Sequence, residues 1–559
     1  MHTGSTKVLI ISLDGATFDV LQPLIRQGYM PNLAGLLETG VAARLESVVP
    51  AVTAPAWSSF MTGKNPNKHG IFDFIRFDPQ TADWKINNSR HILSKTIWQI
   101  LSDNNKQVVV VGLPYTYPPY KVCGAMVSGW DAPAPTAFTY PAELEGTIFD
   151  LVPDYGSALD LSLWSYLPTD SDEGFEQFIR KLTTSCRQNT VIASHLLRAN
   201  PWDVFMVHFQ QTDWIQHKLW GYIERACRNE GETGWRFQRV RECYRVFDES
   251  VGELLRIAAS VNPVRIVLSD HGFGPHRGTI YPSTLLYDLG LYRLQSEVDN
   301  PLKGAFKDSR YAAVRNLYRT LRRARNEVRE KRKVKRFSNW AQMANESVVL
   351  EKVKVDWSRT KAVFMGGSET GFIYVNVKGR GPFGCVEEGA EYEDIVSTLI
   401  TKFRDFKNPQ TGDRLLTRVA RGSEIYGPPS EGVLIPDVVL VPLEGYAVAG
   451  GLVDSFVTAD GERGDHRHDG VISISGPGVH GQVSDLKPNL IDVAPTVLHM
   501  LDLPIPSDMD GRVLHEVFTE RRAVRFVDAD SSQPANLSEY ADEESTLIEQ
   551  RLRGLGYVE

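Results

Sequence analysis

Apolar residues run almost unbroken through six short stretches of this chain: 7–15 (KVLIISLDG), 106–114 (KQVVVVGLP), 202–213 (WDVFMVHFQQTD), 263–272 (PVRIVLSDHG), 437–445 (DVVLVPLEG) and 470–478 (GVISISGPG). They are rich in β-branched residues and do not alternate with polar ones, which predicts strands buried on both faces. Helical patterns lie between them at 33–39, 94–103, 174–198 and 237–258. This βα alternation predicts a doubly wound α/β core around a largely parallel sheet. Three of the strands end in ligand-type residues: Asp14, Asp213, and the pair Asp270-His271. Open α/β sheets place their sites beyond the carboxyl ends of the strands. Carboxylates from three distant segments are therefore expected on one edge of the sheet.

The pattern breaks after residue 275. Residues 303–336 are basic and read as a helix, expected to be a solvated insertion, with a patch for an anionic substrate, a partner or a membrane surface as the alternative. Strand-like alternation returns at 361–395. Residues 276–435 are accordingly expected to form an inserted cap. It would divide the core into 1–275 and 436–520, and 521–559 would be a polar tail with a short helix.

Composition narrows the class. The 559 residues carry a net charge of -8, which gives no pull toward nucleic acid or an anionic membrane. The five cysteines are scattered without a CxxC pair, against both a disulfide framework and a thiolate metal site. The apolar run at the N-terminus is too short for a secretory signal, and no apolar stretch approaches the ~20 residues that span a bilayer. A cytoplasmic enzyme acting on a small molecule is expected, and oligomeric state leaves no mark in the sequence.

The polar strand ends suggest chemistry. Asp213 and His217 lie four apart and share one face of a helical turn. SDHG (269–272) follows a strand, GDHRHDG (464–470) places His466 and His468 in a glycine-flanked loop, and LDG (13–15) adds Asp14. Asp14, Asp213, His217, Asp270, His271 and His466 together suit two oxygen- and nitrogen-ligated divalent ions, one in an Asp-Asp-His set with a hydroxyl and one in an Asp-His-His set. Two ions about 4 Å apart can stabilise the attacking and the leaving oxygen of a phosphoryl displacement. The hydroxyl candidate is Thr53 in PAVTAPAWSSFMTGKNPNKHG (50–70). Thr53 reads either as a helix N-cap or as a nucleophile held at a helix N-terminus. A free threonine is a poor nucleophile at neutral pH, and a dication beside it would stabilise the alkoxide.

The ordered motifs LDG (13–15), TAPAWSSFMTGKNPNKHGI (53–71), DWIQH (213–217), SDHGF (269–273), GDHRHDG (464–470) and LIDVAPTVLHMLDLPIPSDMDGRVL (490–514) resemble those of the alkaline phosphatase superfamily. They are most similar to its type I phosphodiesterase/nucleotide pyrophosphatase branch. The resemblance implies a three-layer α/β/α core with a largely parallel sheet and an inserted cap. It implies Thr53 as nucleophile and metal ligand, Asp14, Asp270 and His271 completing that shell, and Asp213, His217 and His466 holding a second ion. Zinc is the metal usual in the family, with manganese in its mutase branch. The activity implied is a two-metal phosphodiesterase working through a phospho-threonine intermediate, with Ala54 N–H as a donor to phosphate. A phosphomutase or phosphoryl transferase is the alternative, and a binding protein on the same fold the third reading. Where nucleotide-cleaving relatives carry an Asn after HGI, this chain has Phe74, with Arg76 close by as a possible phosphate contact. His468 is kept as a substrate-facing candidate. The segment also lacks the C/S-x-P-x-R run of sulfatases.

Overall fold

A computed structural model describes residues 6–133, 137–155, 167, 169–228, 234–295, 355–367, 369–452, 454–459, 461–529 and 539–555. The basic stretch 303–336 lies outside them.

Eight strands form the main sheet, in the order Val41–Glu46, Asp469–Ser475, Val264–Leu268, Val8–Leu13, Val204–Phe209, Val108–Leu113, Gly124–Ser128 and Thr139–Tyr140. The five strands from Val264–Leu268 to Gly124–Ser128 are parallel, and the outer ones are antiparallel additions. All six residues of Val8–Leu13 and of Val204–Phe209 are buried, as continuous apolar runs require when both faces of a sheet are covered. The cover comes from two groups of helices. Phe18–Arg26, Pro31–Thr39, Asp172–Ala199, Gln211–Arg228 and Trp235–Ala258 pack among themselves, and so do Thr53–Thr62, Ile97–Asp103 and Val493–Met500. The architecture is the alkaline-phosphatase-like α/β arrangement that the motifs imply.

A second body is built on a four-stranded sheet, Ala362–Met365, Gly371–Val375, Val438–Pro442 and Leu416–Arg421, backed by the helix Ala390–Arg404. A small three-stranded sheet, Tyr446–Val448, Gly278–Ile280 and Phe456–Thr458, lies between it and the core in the chain. Val438–Pro442 is thus a strand of the second sheet and not of the main one. Its continuous apolar pattern is that of any strand buried on both faces, so the sequence offered no way to assign it to a sheet. The segment Ile71–Phe77 joins the two bodies: Phe72 meets Phe372 and Tyr426 edge-on, and Phe77 stacks on Trp357 with ring centroids 5.4 Å apart. The helix Asp542–Leu555 closes the described chain, with the Arg551 guanidinium donating to the carbonyls of Trp130, Ala132 and Pro133. Among the described residues no helix is long and apolar enough to cross a membrane.

Candidate active site

Three neighbouring parallel strands, Val264–Leu268, Val8–Leu13 and Val204–Phe209, deliver their carboxyl ends to one edge. Asp14 follows the middle strand directly, Asp270-His271 follows the first, and Asp213 opens the helix that follows the third. His217 comes from the next turn of that helix. His466 is placed by a short antiparallel pairing in which Gly464–Arg467 lies along Gly272–Pro275, with His466 opposite Phe273. Gly15 makes the turn after Asp14 possible: its φ is +64°, and a Cβ there would stand 2.8 Å from the Phe273 ring and 3.3 Å from His271. Its N–H donates to Asp270 Oδ1 at 3.3 Å.

Two triads result. In the first, His271 Nε2 lies 3.4 Å from Asp14 Oδ1 and 3.4 Å from Asp270 Oδ2. In the second, Asp213 Oδ1 lies 3.4 Å from His217 Nε2 and 3.3 Å from His466 Nε2, and the two Nε2 atoms are 3.0 Å apart. Each triad's ligand-type atoms lie within 4.8 Å of one another. The His271 and His466 rings stack with centroids 3.8 Å apart, so the triads adjoin. A tetrahedral shell with bonds of about 2.0 Å has its donor atoms about 3.3 Å apart, which is the spacing seen in both sets.

The surroundings fit a cation as well. His271 and His466 direct Nδ1 at the carbonyls of Gly272 (3.0 Å) and Ala51 (3.2 Å), which leaves Nε2 facing the triads. Asp14 Oδ1, Asp270 Oδ2 and His271 Nε2 are buried without a hydrogen-bond partner. Burial, with the charges of Asp270 and Asp213, raises the Asp14 carboxyl well above its ordinary range. Burial pushes Asp270 up to about 8. Asp213 is also buried, but His217 and His466 outweigh that and hold it below the carboxylate range. In return, and against its burial, the hydrogen bond and charge of Asp213 raise His466 to about 9. His271, buried and beside His466, is held well below the usual imidazole value.

Thr53 opens the helix Thr53–Thr62, is fully buried, and its Oγ1 has no hydrogen-bond partner. It is the first helical residue and not the cap. Val52 occupies the cap position, so the N-cap reading of Thr53 gives way because its backbone is already inside the helix. The start of this helix is pinned from both sides. Ala51 O meets His466, and Trp57, one turn after Thr53, donates Nε1 to Asp14 Oδ2 at 2.9 Å. The N–H of Ala54 belongs to the first turn, where backbone donors have no partner within the helix. The rest of the motif is scaffolding: His69 meets Ser59, and Lys64 and Lys68 pair with Asp508 and Asp510 of the C-terminal segment.

The three remaining candidates have partners of their own. Phe74 is buried against Tyr115 and Trp130. The Arg76 guanidinium is taken up by Glu539 and by Asn87 Oδ1 at 3.2 Å. The His468 side chain is 41% exposed and 3.6 Å from Glu46, and it falls in the break between the strands Gly464–Arg467 and Asp469–Ser475, where the strand register that would keep it on the face of His466 is interrupted. Other groups at the site went unread in the sequence. His208 Nε2 lies 3.4 Å from Asp14 Oδ2 and 2.9 Å from Gln210 Oε1. Asp465 Oδ2 lies 3.1 Å from His276 Nδ1, and Glu369 of the second body interacts electrostatically with His466. His208 sits inside an apolar strand and Glu369 in a loop without a motif, so neither gave a signal.

Comparison with known proteins agrees with the fold. Residues 8–469 match the family described as type I phosphodiesterase / nucleotide pyrophosphatase. An uncharacterized pyrophosphatase/phosphodiesterase of Schizosaccharomyces pombe is 34% identical over 92 residues, 16% of this chain and 18% of that protein's length. The crystal structure of a phosphonoacetate hydrolase from Sinorhizobium meliloti 1021 superposes with a TM-score of 0.50 at 15% identity, covering 89% of this chain and 95% of the other. Human ectonucleotide pyrophosphatase / phosphodiesterase 5 gives 0.46 at 14% identity over the same shares. The chain belongs to the type I phosphodiesterase / nucleotide pyrophosphatase family.

Proposed function

We propose that this family member is a two-metal phosphoester hydrolase that cleaves small phosphodiesters through a phospho-threonine intermediate on Thr53. The observation that carries the reading is the pair of adjoining Asp/His triads, which meet the chain around Thr53 through Ala51 O to His466 and Trp57 to Asp14. Asp14, Asp270, His271 and Thr53 would hold one divalent ion and Asp213, His217 and His466 the other, with zinc first and manganese second. Such ions supply positive charge that lowers the pKa of a nearby hydroxyl and neutralises a departing oxygen.

The chain's own residues do the rest. The buried Thr53 Oγ1 attacks phosphorus in line, an Oγ1–P bond forms, and the P–O bond to the leaving alcohol breaks. Ala54 N–H donates to a non-bridging phosphate oxygen. Trp57 and Gln210 hold the Asp14 carboxylate in place by hydrogen bonds. Water then cleaves the Oγ1–P bond and restores the Thr53 hydroxyl. One observation favours a second reading, a phosphomutase or phosphoryl transferase. Thr53, Asp14, Asp213, Asp270 and His271 are all fully buried, and exclusion of water favours transfer to an alcohol over hydrolysis.

A panel of bis-p-nitrophenyl phosphate against p-nitrophenyl phosphate, with zinc and manganese each supplied, tests the assignment. A higher kcat/KM on the diester is expected, and a large preference for the monoester contradicts it. Solvent oxygen-18 appearing in the phosphate product marks hydrolysis; its absence marks transfer.

A further inference from the structure

The second triad draws its side chains from two separate elements. Asp213 and His217 stand on one helix, Gln211–Arg228, and its turn fixes their spacing. His466 comes from the strand Gly464–Arg467, which must be held against that helix by contacts of its own. The two elements touch closely: a Cβ at Gly464 would stand 2.5 Å from Gln216 O. The pairing with Gly272–Pro275 is a short anchor, and a side-chain relay reinforces it. Asp465 Oδ1 accepts the His466 N–H at 2.9 Å, and Asp465 Oδ2 lies 3.1 Å from His276 Nδ1. His276 Nε2 in turn lies 3.1 Å from Thr279 Oγ1. Thr279 stands on the central strand of the small three-stranded sheet, between Ala447 and Val457. The His276 N–H donates to Arg463 O at 2.9 Å, which ties the start of the relay to the chain that carries Asp465. The directions agree along its length. A carboxylate only accepts, so Nδ1 carries the proton of the neutral imidazole and Nε2 accepts from the Thr279 hydroxyl.

We propose that His276 is a positioning residue for the second metal ion: anchored on Thr279, it holds Asp465, and through Asp465 the backbone of His466, where the second triad closes. The inference rests on the two-metal reading, and it gives His276 no contact with substrate. Groups that orient a metal's ligands govern its affinity nearly as the ligands do. The first triad needs no such relay, because Asp14 and Asp270-His271 follow two neighbouring strands of the main sheet. The effect of His276 is therefore confined to the second ion.

Zinc titrated into the chelated protein against a competing chelator tests this one site at a time. In an Asp270→Asn background, which leaves the second site, His276→Ala should weaken zinc binding by about 30-fold. In an Asp213→Asn background, which leaves the first site, the same change should alter the affinity by less than about 2-fold. Thr279→Val keeps the β-branch that suits a strand and removes only the hydroxyl. It should weaken the second site by about 10-fold alone and add nothing to His276→Ala, since the two residues act in one chain. His276→Asn retains a side-chain N–H for Asp465 and should recover most of the affinity. Equal losses at both sites, an unchanged second site, additive losses for the two changes, or no recovery with His276→Asn overturns the inference alone. If His276→Ala fails to fold, Thr279→Val in the same two backgrounds decides it. A wild-type chain that binds fewer than two ions overturns the two-metal reading and the inference with it.

Discussion

The two triads settle their charge in opposite ways. Asp213 faces two imidazoles, and its carboxylate is held ionised while His466 is held protonated. That cluster balances itself without an ion. Asp14 and Asp270 face a single histidine that burial keeps neutral, and both carboxyls are driven upward. The first triad therefore depends on a cation more than the second does. It also adjoins the Thr53 helix, whose Trp57 donates to Asp14, and Thr53 Oγ1 is itself buried without a hydrogen bond. An unbalanced pair of carboxylates beside a hydroxyl is what a site needs if a cation is to lower that hydroxyl's pKa.

The largest effect should come from Thr53→Ala. Loss of the nucleophile should lower kcat by at least about 10³-fold while leaving most of the bound metal in place, measured by turnover and elemental analysis on one preparation. Matched changes in the triads sharpen the contrast. Asp270→Asn and Asp213→Asn should each weaken metal binding by about 100-fold or more, but their effects on the chelated protein should have opposite signs. Asp270→Asn relieves buried repulsion and should raise the thermal midpoint. Asp213→Asn leaves His466 without its counter-charge and should cost about 3 kcal/mol.

Proton linkage extends the same comparison. Asp270 has its folded pKa raised to about 8, so the stability it contributes is full below the ordinary carboxylate pKa of about 4 and is lost as pH rises through 8. His466, raised to about 9, contributes below about 6.5 and loses that contribution as pH rises through 9. Asp213, held low, contributes above about 4 and loses its contribution only in acid. The chelated protein should thus lose thermal stability steadily from pH 6 to 9 in calorimetric scans. Asp270→Asn should flatten the part of that slope below 8, and saturating metal should reverse it, since ions compete with protons. The smallest change is Trp57→Phe, which removes one donor to Asp14 and should cost about 10-fold in metal affinity or activity.

The core was largely legible in the sequence, and the reason is physical. Strands buried on both faces need continuous apolar runs, and a carboxylate can follow such a run only at the strand's end. Asp14, Asp213 and Asp270 therefore marked one sheet edge before any geometry was known. His466 was readable only through its motif, because a short antiparallel pairing with Gly272–Pro275 carries it there. The second body was legible only as an insertion at 276–435, not in its extent. Val438–Pro442 has the same apolar pattern as a core strand and pairs elsewhere. The neighbours of Phe74 and Arg76 in the joining segment were not legible either: Phe74 packs on Trp130 and Arg76 meets Glu539. Pairing across 463 residues of chain leaves no local pattern.

Metal reconstitution of the chelated protein tests the central claim most directly. The account predicts two divalent ions per chain, hydrolysis of bis-p-nitrophenyl phosphate restored only when they are bound, and stoichiometry falling to one with either Asp270→Asn or Asp213→Asn. A chain that binds no divalent ion and cleaves the diester equally well with and without Thr53 would contradict it.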